Sequence, residues 1–192
     1  MDLPNIHCRP ANEDINALPQ QSYDGPINII RSSSEWQKAL GQLEKETILG
    51  FDTETRPSFQ KGVHYSPALI QLASSNAVYL IQLRFMRFGK SLARLLSNPN
   101  IIKAGVAINA DMLELGKLFP FKAQRIVDLG EMSKYNNLPN HGLRNLAASL
   151  FGWRITKNEQ CSNWNVFELS KKQILYAATE ACLFQRDAVR GP

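Results

Sequence analysis

The chain has 192 residues, enough for one domain with a substantial core. Hydrophobic residues make up 44% and charged residues 20%, a balance that excludes a disordered or low-complexity chain. Lysine and arginine outnumber aspartate and glutamate by 22 to 17, and the resulting net charge of +5 agrees with a polyanionic partner without requiring one.

Residues 1–26 are rich in Pro, Asn and Gln and show no period. They read as a tail or an arm packed on a domain that spans 27–190. The first residues lack the basic start and apolar core of a signal peptide, and no apolar run reaches transmembrane length. Cys8, Cys161 and Cys182 form no CxxC and cannot all pair, which fits reduced thiols and an expected cytoplasmic location with no membrane partner.

Along the rest of the chain, "SSSEWQKALGQLEKE" (32–46) predicts a helix, with Ser32 and Glu35 in capping-box spacing and Trp36, Leu40 and Leu43 on one stripe. "TILGFDTE" (47–54) predicts a buried strand, followed by a loop to residue 67. "ALIQLASSNAVYLIQL" (68–83) predicts a hairpin turning at Ser74–Asn76. A helix over 88–99, a strand over 101–108 and a helix over 109–119 come next. "RIVDLGEMS" fits a strand or a helix start, and is read as a short strand. "GLRNLAASLFG" is a helix ending at Gly152, and the last helix, from 169 to 189, can be capped by Ser170 and Gln173. Strands alternating with helices predict an α/β domain with a mixed central sheet flanked by helices.

Asp52 and Glu54 are one residue apart on a strand, so both point the same way. Asp111 follows the strand 101–108 at a helix start. On the last helix, Tyr176 and Glu180 are four residues apart and share a face. Singly, these would be a helix N-terminal acid, a core tyrosine and a surface glutamate. Jointly, they predict a cluster of four carboxylates, which stays ionised only with cations. Mg²⁺ or Mn²⁺ suits such oxygen ligands, and two ions ~3.5–4 Å apart can drive phosphodiester cleavage. His7, His64 and His141 lie scattered, so no zinc spacing competes.

"FDTET", "GVAINADMLEL" and "YAATEA" resemble the three motifs of the DEDD 3′→5′ exonucleases. They are most similar to the branch of ribonuclease D and the Werner-type exonuclease domain, which "ALIQLA", "GLRNLA" and "SNW" also match. The resemblance runs over residues 27 to 188. It implies a ribonuclease H-like fold and a 3′→5′ exonuclease that hydrolyses terminal phosphodiesters to nucleoside 5′-monophosphates. It implies two divalent ions, Mg²⁺ or Mn²⁺, held by Asp52, Glu54, Asp111 and Glu180, with Asp52 bridging both. Tyr176 would orient the attacking water. The sister branch places a histidine where this chain has Leu175, so this is the tyrosine type.

One position departs from the family. Its fourth acid is usually aspartate, and Glu180 extends the carboxylate by roughly 1.5 Å. The alternative reading is therefore a catalytically weak or inactive nucleic-acid-binding module on the same fold. Candidate substrate contacts are Thr53, Arg56, Lys61, His64, Asn109 and Arg144, with Lys157, Lys171 and Lys172 near the last motif. Phe59, Tyr65 and Trp164 are candidate base platforms, Trp164 equally a packing anchor. Asp128 and Glu131 read as structural. The expected partner is a nucleic-acid 3′ end, single-stranded or recessed, with DNA and RNA both open.

Overall fold

The computed structural model describes residues 12–138, 141–183 and 185. His7, Cys8 and the end of the expected last helix, 186–189, lie outside the described residues. In chain order the elements are α1 (Asn12–Ala17), β1 (Ile27–Ile30), α2 (Ser33–Leu43), β2 (Ile48–Thr55), β3 (Pro67–Ala73) and β4 (Val78–Gln82). They continue with α3 (Lys90–Leu96), β5 (Ile102–Gly105), α4 (Ile108–Leu118), β6 (Ile126–Asp128), α5 (Leu129–Tyr135), α6 (Leu143–Phe151) and α7 (Lys171–Cys182). Six strands form one mixed sheet in the order β1-β4-β3-β2-β5-β6. The β2–β3 and β3–β4 pairs are antiparallel, while β1 runs parallel to β4, and β5 runs parallel to both β2 and β6.

The expected hairpin is β3–β4, closed where Ser74 Oγ accepts the N–H of Ala77 at 3.0 Å and donates to its carbonyl at 2.9 Å. Two short elements go beyond the sequence reading: α1 and the edge strand β1. Four to six residues are too few to display a period. The "RIVDLGEMS" stretch is both strand and helix, because Asp128 ends β6 and caps α5 by accepting from the N–H groups of Gly130 and Glu131. The strand read over 101–108 stops at Gly105; Ala107, at φ 57, turns the chain into α4.

Caps follow the sequence with one shift. Ser170 and Gln173 form the reciprocal box on α7. At α2, Ser32 accepts from the Glu35 N–H at 3.3 Å, but Glu35 reaches one residue farther out, to the Arg31 N–H at 2.8 Å.

Side-chain alternation splits the core. Leu49, Phe51, Ile70, Leu72, Tyr79 and Ile81 face α2, α3 and α4. Leu69, Ala73, Val78 and Leu80 face α7 and the buried Trp164. Tyr23 belongs to this second layer and donates its backbone N–H to Thr179 Oγ1 at 3.0 Å, so residues 20–23 run along α7. Among the described residues, no helix is long and apolar enough to cross a membrane.

α7 comes very close to β2. A Cβ on Gly50 would overlap the Ala181 carbonyl oxygen, whereas one on Gly41, mid-α2, would meet open space. Gly50→Ala should therefore destabilise the fold by about 3 kcal/mol. Gly41→Ala should stabilise it by about 0.5–1 kcal/mol through lower unfolded-state entropy and better helix propensity. Urea unfolding midpoints check both, and the two must move in opposite directions.

Candidate active site

Asp52 and Glu54 stand on the face of β2 that meets α7, on the same side as Gly50. α7 presents small residues to the sheet, Ala177, Ala178 and Ala181, all buried. That lets its Tyr176–Glu180 face lie over the strand. Asp111 arrives from the first turn of α4, which starts just past the β5 edge beside β2. Residues from three separate elements thus meet in one place.

Hydrogen bonds fix the arrangement. Thr53 donates its hydroxyl to Asp111 Oδ1 at 2.6 Å, and its N–H to Asp52 Oδ1 at 2.8 Å. Tyr176 donates to Glu180 Oε1 at 2.8 Å. Glu54 hydrogen-bonds Glu180, a contact between two carboxyls that requires a proton, and the direction of the shifts puts it on Glu54. A β-bulge between Glu54 and Thr55 ends the regular register and turns the strand just past the acids.

The electrostatics are those of crowded, partly desolvated acids. Burial, then the charge of Glu180, pushes Glu54 up to about 11. Burial, then the charges of Glu180 and Asp111, raises Asp52 well above the carboxylate range. Asp111 rises to about 6 through burial, with the Thr53 hydroxyl opposing. Glu180 is also raised by burial, offset by its bonds from Tyr176 and Glu54 and by the charge of Lys157. Burial and the Glu180 carboxylate raise the Tyr176 phenol further, so it keeps its proton. No lysine or arginine among the described residues offsets Asp52, Glu54 or Asp111. Such a donor set fits hard divalent cations, whose charge would replace the retained protons. As placed, no group of three or more of the described His, Cys, Asp and Glu residues is arranged to hold a metal ion. Asp111 is turned to Thr53, and Glu180 to Tyr176.

The other sequence candidates distribute unevenly. Arg144 lines a cavity of about 170 Å³ together with Lys157, Tyr176 and Glu180; its Nη2 donates to Asn16 Oδ1 at 2.6 Å, and its buried Nε is unpartnered. Asn109 turns away, donating to Asp128 Oδ2 at 3.4 Å. Arg56 lies over the Tyr65 ring at 4.6 Å, and Lys61, His64 and Phe59 are exposed on the β2–β3 loop. Lys171 and Lys172 are exposed at the start of α7. Trp164 is no base platform: it is 1% exposed, with its ring 5.9 Å from that of Tyr176, which it holds in place.

Gln71 escaped the sequence reading. It pairs in register with Asp52, is fully buried, and neither end of its amide has a hydrogen-bond partner. A lone amide in the apolar run "ALIQLA" was the available signal.

A family model described as 3′-5′ exonuclease matches residues 27–185. The chain belongs to the 3′-5′ exonuclease family. The bifunctional 3′-5′ exonuclease/ATP-dependent helicase WRN of Mus musculus is 34% identical over 146 residues, 73% of this chain and 10% of the relative. A 3′-5′ exonuclease of Arabidopsis thaliana is 27% identical over 195 residues, 93% of this chain and 66% of the relative. The chain thus spans from a tenth to about two thirds of the length of these relatives. The Nibbler EXO domain of Aedes aegypti superposes with a TM-score of 0.78 at 24% identity, covering 88% of this chain and 91% of that one. Escherichia coli RNase D gives 0.77 at 19% identity, covering 85% and 44%. The fold is accordingly the ribonuclease H-like fold of these exonucleases. Enzymes of this 3′-5′ exonuclease family generally use divalent metal ions.

The burial of Asp111 has a measurable consequence. In the metal-free fold Asp111 keeps its proton to about pH 6, against 3.8 as its ordinary value. Between those values the native state holds more protons than the unfolded one, so stability falls as pH rises. Asp111→Asn, with EDTA present, should remove about 1–2 kcal/mol of that decline between pH 4 and 7, allowing for solvent screening. Urea titrations of both proteins across that range check it.

Proposed function

We propose that the protein is a metal-dependent 3′→5′ exonuclease that removes nucleoside 5′-monophosphates from a nucleic-acid 3′ end. The observation that carries this reading is the meeting of Asp52, Glu54, Asp111 and Glu180 beside Tyr176, where burial raises the pKa of all four acids and neighbouring carboxylates raise Asp52 and Glu54 further. Those acids would hold two divalent ions, Mg²⁺ or Mn²⁺. Bound there, such ions supply charge to balance the carboxylates and Lewis acidity for phosphodiester hydrolysis.

The chain's own residues do the rest. Thr53 holds Asp111. Tyr176 stays protonated, so it orients water by hydrogen bonding and does not act as a base. Trp164 packs against its ring and limits its motion. Water attacks the terminal phosphorus, the bond from phosphorus to the 3′ oxygen breaks, and the shortened strand keeps a 3′-hydroxyl. Arg144 and Lys157 border the same cavity and suit the released phosphate. Structures of neighbours favour a nucleic-acid partner: Trypanosoma brucei RNase D is complexed with RNA, and Brucella melitensis NrnC is bound to pGG.

A binding module is the second reading. It draws on Glu180, whose carboxylate is occupied by Tyr176.

The deciding test follows 5′-labelled single-stranded DNA, RNA and a 3′-recessed duplex with Mg²⁺, Mn²⁺ or EDTA. A ladder shortening from the 3′ end is expected, abolished by EDTA and reduced at least ~10²-fold in Asp52→Ala. No shortening, or shortening that survives Asp52→Ala, would sink the exonuclease reading. Glu180→Asp separates the two readings. The exonuclease should slow, roughly 10²-fold, as the carboxylate is drawn back and Tyr176 loses its partner. A large gain in rate would instead make the native chain the binding module.

A further inference from the structure

A second cleft, of about 400 Å³, lies where β2 and β4 end and β3 begins. It is lined by Arg56, Arg84 and Arg87 and by no aspartate or glutamate. None of the three arginines forms an ion pair among the described residues. Two lie over aromatic rings: Arg56 over Tyr65 at 4.6 Å, and Arg84 over Phe167 at 5.9 Å while it donates to the Asn165 carbonyl at 3.1 Å. A guanidinium beside an aromatic ring keeps most of its five N–H groups free to donate to phosphate. Three like charges gathered without a counter-charge repel one another, and phosphates relieve that repulsion with bidentate geometry. Tyr65 and Phe88 add aromatic surface.

The cleft adjoins the acids. Arg56 follows Glu54 by two residues, just beyond the bulge. Leu118 lines the cleft and lies seven residues along α4 from Asp111, roughly 10 Å of helix. A strand a few nucleotides long can bridge from the acid cluster into the arginines. We propose that this cleft binds the single strand on the 5′ side of the scissile bond, with Arg56, Arg84 and Arg87 on its phosphates and Tyr65 against a base. The polarity of that strand, though not the cleft's affinity for it, rests on the exonuclease reading.

Fluorescence anisotropy in EDTA tests this without turnover, using a labelled single-stranded oligonucleotide and a labelled dinucleotide over a range of salt. Arg84→Gln/Arg87→Gln should weaken binding of the long strand roughly tenfold at low salt and lower the salt slope by about 1.4, two phosphate contacts at ~0.7 each. The loss on the dinucleotide should be much smaller. Arg87→Gln alone should give about half the slope change. That variant guards against disturbance of the Asn165 loop, because the Arg87 side chain has no hydrogen bond to the described residues. Lys38→Gln/Lys45→Gln removes the same charge from exposed positions on and just after α2 and should keep the slope of the native protein. A slope unchanged in the arginine variants, equal losses on both ligands, or an equal effect of the lysine pair would overturn the proposal. The readings fail separately. Arginine-dependent binding with no strand shortening keeps the cleft and removes the exonuclease; shortening with an unchanged slope does the reverse.

Discussion

The site depends on how closely α7 can lie against β2. Gly50 has no side chain to hold the helix off, and the alanines of α7 present little bulk of their own. At that spacing the Tyr176–Glu180 face overlaps Asp52 and Glu54, and four carboxylates come together that none would choose alone. Gly105 plays a similar part on β5, where a Cβ would overlap the Phe51 carbonyl oxygen. Its absence keeps β5 tight against β2, and with it the start of α4 that carries Asp111.

The pocket is costly to the metal-free fold. Burial raises the pKa of each acid, repulsion within the cluster raises Asp52 and Glu54 further, and protons fill in for missing positive charge. A structural cluster would more simply include a lysine. The fold has a buried lysine to offer, Lys103, but spends it on the carbonyls of Asn98 and Ile101, where burial lowers it to about 8. Positive charge is instead gathered next door, in a cleft without acids. Separated pools of charge suit a ligand that is polyanionic along its length and bound through cations at its reacting end.

Glu180 fits this picture in a way its sequence position did not announce. The extra methylene lets the carboxylate turn back along its own helix to accept from Tyr176 while also meeting Glu54. The position is thus integrated into the network and is not a loose substitution.

Much of this was legible in the residues. Asp52 and Glu54 had to share a face because strands alternate, and Tyr176 and Glu180 because helices repeat near four. Ser170 and Gln173 had to cap α7 because their spacing allows both bonds. Two short elements were not legible: β1 and α1 carry too few residues for a period, and Asp128 shows as a cap only once β6 and α5 meet there. Nor was the fate of single side chains. Trp164 packs under Tyr176, and Gln71 lies opposite Asp52, through register set by β2–β3 pairing. Arg84 and Arg87 join Arg56 only because strand ends distant in sequence come together at one end of the sheet. Local periodicity and spacing determined which residues could act; long-range packing decided which of them meet, because contact between separate elements depends on sheet order and helix approach.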